Sequence, residues 1–239
     1  MGLFAGIRYN LKGMALGLKT PSLLFLGLLR FVVVLALTLV LSGMVLYWHD
    51  EILAAIWQMP ENSWLVYLWH LTAWLLSLVL AALAMVVAYL IAQVLFCAFI
   101  MDYMSRITER MVTGTCASQS QGSWISLLIY LIRQEIPRAV LPVIISLVLM
   151  VLGFFTPLGL LVLVASSVTA GVFLAWDNTD LMPARQMVPF RERLGLLREN
   201  LLFHVGFGLL FLIPWLNILF LSFAPVGATL YYIDTYGKR

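Results

Sequence analysis

Four long, mainly apolar stretches of this chain contain no Asp, Glu, Lys or Arg: residues 31–49, 62–101, 139–176 and 200–233. A helix in water keeps one polar face, whereas long uncharged runs suit hydrocarbon, where a crossing helix takes about 20 apolar residues. Hydrophobic side chains make up 63% of the 239 residues and charged ones only 10%. That is too little polar surface to clothe a soluble domain. The chain therefore reads as an all-α integral membrane protein, a single membrane domain over residues 1–239.

The four runs differ in how they can be built. Residues 31–48 fit one transmembrane helix, and residues 62–101 hold no Gly or Pro to interrupt a second, longer one, so 31–101 is read as two crossings. Along the second, Ala73, Ser77, Ala81, Ala84, Ala88 and Ala92 form a narrow stripe. A stripe of small side chains lets another helix approach closely, within the chain or across an oligomer seam. In the third run Gly153, Pro157 and Gly159 leave an N-terminal arm too short to cross. The turn at Thr156 and Pro157 lacks the charges or Asn/Asp cluster of a water-exposed turn. The fourth run breaks in the same way at Pro214, with Asn217 placed to hydrogen-bond the freed main chain. Irregular main chain at membrane depth is tolerated only against protein or a wet cavity. Residues 139–176 and 200–233 are accordingly read as re-entrant, hemi-penetrating helical hairpins that enter and leave on one face.

The charges supply an independent reading. All 14 Lys and Arg fall at 8–30, 106–138, 185–198 and 238–239, whereas residues 49–61 hold three acids and no base. By the positive-inside rule the basic segments and both termini are cytoplasmic and residues 49–61 lie outside. Six full crossings would satisfy the same rule; short arms and apolar turns favour two crossings with two hairpins. Tyr47, Trp48, Trp57, Trp64, Tyr67 and Trp69 gather around the outer loop, as interfacial aromatics do. Residues 3–20 read as an amphipathic helix on the lipids of the inner leaflet, with Leu3, Ile7, Leu11, Met14 and Leu18 on one side and Arg8, Lys12 and Lys19 on another.

Little in the chain is arranged for catalysis. His49, His70 and His204 are scattered, Cys97 and Cys116 sit in unrelated surroundings, and no phosphate loop, metal cluster or nucleophile motif is present. No enzymatic activity, cofactor, metal or nucleic-acid partner is expected. Arg30, at the edge of the first crossing, suits an oxyanion, because a guanidinium fork and the free N–H groups of a helix start both donate to one. The alternative is an arginine snorkelling to headgroups. Arg106, Glu109, Arg110, Arg133 and Glu135, with Asp102 and Arg138, form a second group. Asp102 and Arg106 can pair at their spacing, and Arg106 repels Arg110 unless an acid or anion sits between them. These are candidate pore or gating residues, with an ordinary solvated face as the alternative. The segment "FRERLGLLREN" reads as a cytoplasmic amphipathic helix on lipid headgroups.

The stretches "GLLRF", "FRERLGLLREN", "FGLLFLIPWLN" and "APVGATLYY" resemble the CysZ-type sulfate permeases and the wider family that includes the eukaryotic etoposide-induced membrane proteins, over nearly the whole length. The resemblance implies two long crossing helices, two hemi-penetrating hairpins, and a homo-oligomer in a bacterial inner membrane that admits sulfate. It also implies an anion site at a Gly-Leu-Arg-Arg stretch, which here is Gly27, Leu28, Leu29 and Arg30, with one arginine fewer. Hairpins meeting at membrane depth would place polar groups, among them Asn217 and Thr229, where a dehydrated anion can pass. A rival reading is a non-transporting module that organises partner proteins or lipids.

The topology is open to single-cysteine labelling in a Cys97→Ser, Cys116→Ser background. Ala55→Cys is expected to react with an impermeant reagent from the outer side and Thr156→Cys is not; efficient outside labelling at 156 replaces the hairpin with full crossings.

Overall fold

The computed structural model describes residues 2–57, 60, 62–92, 96–115, 124–155 and 159–237. Every regular element in them is helical, and four helices are long and apolar enough to cross a bilayer: Pro21–Tyr47, Trp64–Ala92, Gly159–Thr179 and Leu216–Tyr236. The chain is an all-α, multi-pass membrane protein. It forms two compact units, one of Met1–Phe31 with Val94–Arg239 and one of Val32–Gln93.

In the larger unit α1 (Leu3–Lys19) and the start of α2 (Pro21–Tyr47) are joined by a single extended residue, Thr20. Proline opens α2 at the helix position where its missing N–H costs nothing. The first crossing helix thus begins ten residues before the expected start at 31, because counting uncharged residues stops at Arg30 while the helix continues through it. Next come α5 (Ala98–Thr113), α6 (Trp124–Phe155), α7 (Gly159–Thr179), α8 (Leu181–Arg185), α9 (Phe190–Glu199), α10 (Leu201–Leu209) and α11 (Leu216–Tyr236). Helix α5 stops at Gly114, whose φ of 74° is the left-handed cap that glycine adopts freely. Helix α6 reaches well upstream of residue 139, and its apolar part is Val140–Phe154. The expected turn at Thr156 and Pro157 lies outside the described residues.

The break at Pro214 is where the sequence places it. Helix α10 tightens into a 3-10 turn over Leu210–Leu212, Ile213 is extended, and Trp215 takes a φ of 68°. The ladder resumes through Leu216 N–H donating to the Pro214 carbonyl at 2.8 Å and Asn217 N–H donating to that of Ile213 at 2.9 Å. Asn217 therefore repairs the break with its main chain. At the other end of the arm, α9 and the α10 segment meet at a 77° bend around Asn200.

Helix α1 fastens both arms of this last run. Its buried side is Gly6, Asn10, Gly13 and Gly17, not the leucines; Phe4, Leu11 and Leu18 face outward. A Cβ built on Gly6 would lie 2.1 Å from the Phe203 carbonyl of α10, and one on Gly13 would lie 2.3 Å from the Gly227 nitrogen of α11. Side chains are absent from these crossings because the two main chains are in contact. Asn10, fully buried, donates its amide N–H to the Phe207 carbonyl at 2.9 Å. Helices α7 and α10 cross in the same manner, Gly171 against Gly208. Around these contacts Phe203, Phe207, Phe211, Phe220 and Tyr231 fill the core, and the Phe203 and Tyr231 rings stack at 3.9 Å.

The smaller unit holds the rest of α2, then α3 (His49–Ile56) and α4 (Ser63–Ala92). His49 ties α3 to α4 through the Ser77 hydroxyl at 2.8 Å, and the Trp69 indole donates to the Trp57 carbonyl at 3.0 Å. Ala84, Ala88 and Ala92 of the small-residue stripe are buried. Of the uninterrupted helix expected over 62–101, α4 is described to Ala92, residues 93–95 lie outside the described residues, and a wider π-type turn at Phe96 and Cys97 leads into α5.

The glycine crossings are testable by thermal unfolding in detergent. Gly13→Val forces α1 off α11 and is expected to lose about 3 kcal/mol or more, at the upper end of overpacking effects. Gly43→Ala, where an added methyl meets nothing within 4 Å, is expected to be neutral or stabilising by up to about 1 kcal/mol. Equal effects at the two positions overturn the assignment.

Candidate functional site

The four residues of the expected anion stretch occupy successive positions inside α2, so their amides belong to the helix interior and are not the free N–H groups of a helix start. Each side chain has a different neighbour. Gly27 faces the Phe223 ring, which an added Cβ would approach to 2.8 Å, and Leu28 points outward. Arg30 is 8% exposed, and its Nη1 donates to the Leu221 carbonyl of α11 at 2.7 Å. The buried Cys97 lies near the same guanidinium. That carbonyl has a particular need for a donor. Pro225 sits inside α11 four residues on, and a proline returns no N–H to the residue four before it. Arg30 supplies the bond that the helix cannot.

A second polar cluster forms where α5, α8 and α11 meet. Asp102, Ser105, Arg106 and Glu109 share one side of α5, at the three- and four-residue spacing of a helix face. Arg185, the last residue of α8, reaches all of this side. Its Nε lies 3.3 Å from Asp102, its Nη1 2.9 Å from Glu109 and its Nη2 2.6 Å from the Ser105 hydroxyl. Arg106 holds the other oxygen of Asp102 at 2.7 Å. Thr229 of α11 closes the cluster, its hydroxyl 2.8 Å from that of Ser105 and 2.7 Å from the Pro225 carbonyl. Two guanidinium groups thus meet two carboxylates, and the cluster is neutral within itself. Removing one member would strand a partly desolvated charge, which is why such groups hold helices in register.

Of the expected pore group, then, Arg106, Glu109 and Thr229 come together around Arg185, while Arg110 is exposed on α5 and Asn217 lies half-exposed at the start of α11. The side chains of Arg133, Glu135 and Arg138 lie outside the described residues. Arg193 of "FRERLGLLREN" is not at a lipid surface: it is 1% exposed and ion-paired with Asp180. Nearby His204 is buried, with Nδ1 facing the Asn200 carbonyl at 2.8 Å and Nε2 the Thr179 hydroxyl at 2.9 Å, the geometry of a neutral ring with its proton on Nδ1. Sequence reasoning missed Arg185, whose partner Glu109 is 76 residues away, and the Asp180–Arg193 pair, whose members are 13 residues apart with no helical spacing to link them.

The cavities narrow where an anion can be held. One of about 20 Å³ beside Asp180, Arg193, Asn200 and His204 has room for a water molecule and not for a tetrahedral oxyanion. A groove of about 490 Å³ is large enough, but the charged group on its wall is the Glu109 carboxylate. Among the described residues no three His, Cys, Asp or Glu are grouped to hold a metal.

Comparison with individual curated proteins finds no match. The model of the family described as sulfate transporter CysZ/etoposide-induced protein 2.4 matches residues 9–222, from the buried side of α1 to the turn of α11 that Arg30 holds. That match covers most of the chain, and the protein belongs to this transporter-type family.

Proposed function

We propose that the protein is a permease or channel for a small oxyanion, sulfate first among the candidates, acting passively or on a gradient. The observation that carries this reading is Arg30: a permanently charged fork, buried inside an apolar helix and bonded to a neutral carbonyl, where the other buried arginines are matched to carboxylates. A cation in such surroundings raises the local affinity for an anion. Membership of a family described by sulfate transport points the same way. Gly27 lets α11 close on Arg30, Leu28 faces outward, and the neutral cluster of Asp102, Arg106, Glu109, Arg185 and Thr229 would keep the neighbouring wall from trapping an anion.

In this reading α6–α7 and α10–α11 are re-entrant hairpins in a bacterial inner membrane, with both termini cytoplasmic and several copies assembled. The arm over residues 201–212 is about 18 Å long at 1.5 Å per residue, well short of a hydrocarbon core of about 30 Å. The bent and unwound main chain at Ile213–Trp215 would line the path or pack on a second copy.

Reconstituted into liposomes, the purified protein is expected to take up labelled sulfate above empty vesicles, and uptake equal to that of empty vesicles across pH 5–8 sinks the proposal. In calorimetry on detergent-purified protein, Arg30→Lys should weaken sulfate binding by roughly 10- to 100-fold, equivalent to about 1.5–3 kcal/mol for one charge-assisted contact. Leu29→Arg should strengthen it. Affinity unmoved by both substitutions, with normal insertion, leaves Arg30 an anchor.

A further inference from the structure

We propose that Arg30 is the surrogate main-chain donor of α11, and that an oxyanion reaching Arg30 competes with the Leu221 carbonyl for the same guanidinium, so that anion occupancy and the conformation of α11 are coupled. The competition rests on the permease reading above; the surrogate bond does not.

The argument begins with what a proline does inside a helix. Helix α11 is continuous from Leu216 to Tyr236 with Pro225 within it, so the carbonyl of Leu221 faces a nitrogen that has no hydrogen. Its neighbours along the helix shield it: Phe220, Ser222, Phe223, Ala224, Pro225 and Val226 are all buried, and Leu221 is half-buried. Arg30 Nη1 comes within 2.7 Å of that oxygen. The position is also forced from the α2 side. Gly27, one turn before Arg30, lets the Phe223 ring lie against the α2 main chain, and this brings α11 within reach of the guanidinium.

A neutral carbonyl is a weaker acceptor for a guanidinium than a charged oxyanion. An anion that engages Arg30 therefore draws the fork away and leaves the Leu221 carbonyl to be satisfied by unwinding the segment before Pro225 or by water arriving with the anion. That segment already begins at a broken point, Pro214 and Trp215, where the main chain is irregular. Linkage makes the relation reciprocal: whatever satisfies Leu221 independently of Arg30 must strengthen anion binding.

Pro225→Ala supplies that independent donor, because it restores the missing N–H. The test is a double-mutant cycle of Arg30→Leu and Pro225→Ala on full-length protein in detergent, read by melting temperature and by sulfate calorimetry. Arg30→Leu is expected to lower Tm by several degrees with Pro225 present and by much less with Pro225→Ala. Should Arg30→Leu fail to fold alone, recovery in the Pro225→Ala background supports the proposal equally, and Arg30→Gln, which keeps a neutral donor, is expected to fall between. Pro225→Ala alone should tighten sulfate binding about three- to ten-fold. Additive effects on Tm overturn the surrogate bond, and unchanged sulfate affinity in Pro225→Ala overturns the competition. Absence of sulfate binding by the unaltered protein sinks the permease reading and the competition with it, while the Tm cycle still decides the surrogate bond.

Discussion

Main-chain contact between helices is what the larger unit is built on. In a lipid setting there is no hydrophobic force to drive apolar helices together, so association depends on close packing and on polar groups that find partners inside. Helix α1 meets that requirement twice, with Gly6 on α10 and Gly13 on α11, and so fixes the two arms on either side of the Pro214 break. Gly171 and Gly208 add a third such contact and fasten α7 to the same arm. Two of the glycines at these contacts, Gly208 and Gly227, fall within the motifs "FGLLFLIPWLN" and "APVGATLYY". Those motifs therefore mark where helices touch, before they say anything about what is transported.

The second requirement is that every polar group brought inside must be answered. Two solutions coexist. The cluster around Arg185 is closed: each charge has an opposite charge and the hydroxyls of Ser105 and Thr229 fill the remaining positions. The Asp180–Arg193 pair is of the same kind. Arg30 is answered by a carbonyl, which satisfies geometry without cancelling charge. A closed cluster gains little from a passing ion, since binding one would mean breaking a matched pair. A charge met by a dipole has more to gain, and this asymmetry, rather than the number of arginines, distinguishes Arg30 among the described buried arginines.

The features legible in the sequence are those set by local chemistry. The membrane class follows from uncharged runs, and the break at residues 213–215 follows from Pro214, because a missing N–H acts at its own position. Features that depend on a partner were not legible. Hydropathy reads α1 as a lipid-facing amphipathic helix and gives no sign that its opposite side, Gly6, Asn10, Gly13 and Gly17, packs on other helices. Arg30 looked like the edge of a helix because charge was used to mark the edge. Arg185 gave no local sign at all, since α8 is five residues long and its carboxylates come from α5. Pro225 stands inside the fourth uncharged run, but nothing near it in sequence shows that the carbonyl it orphans is met from α2.

This geometry also bears on Leu29, where the family resemblance implies an arginine. Consecutive residues on a helix diverge by about 100°, so a side chain at 29 cannot share the place of one at 30. Leu28 is outward, Leu29 half-buried and Arg30 inward. An arginine at 29 would flank the buried fork and reach toward the helix surface, while Arg30 alone is in position to bond Leu221. With leucine there, the inner bond to Leu221 is unchanged. The inner arginine is the one that α11 itself requires, because Pro225 leaves a carbonyl that must be answered whether or not an anion ever arrives.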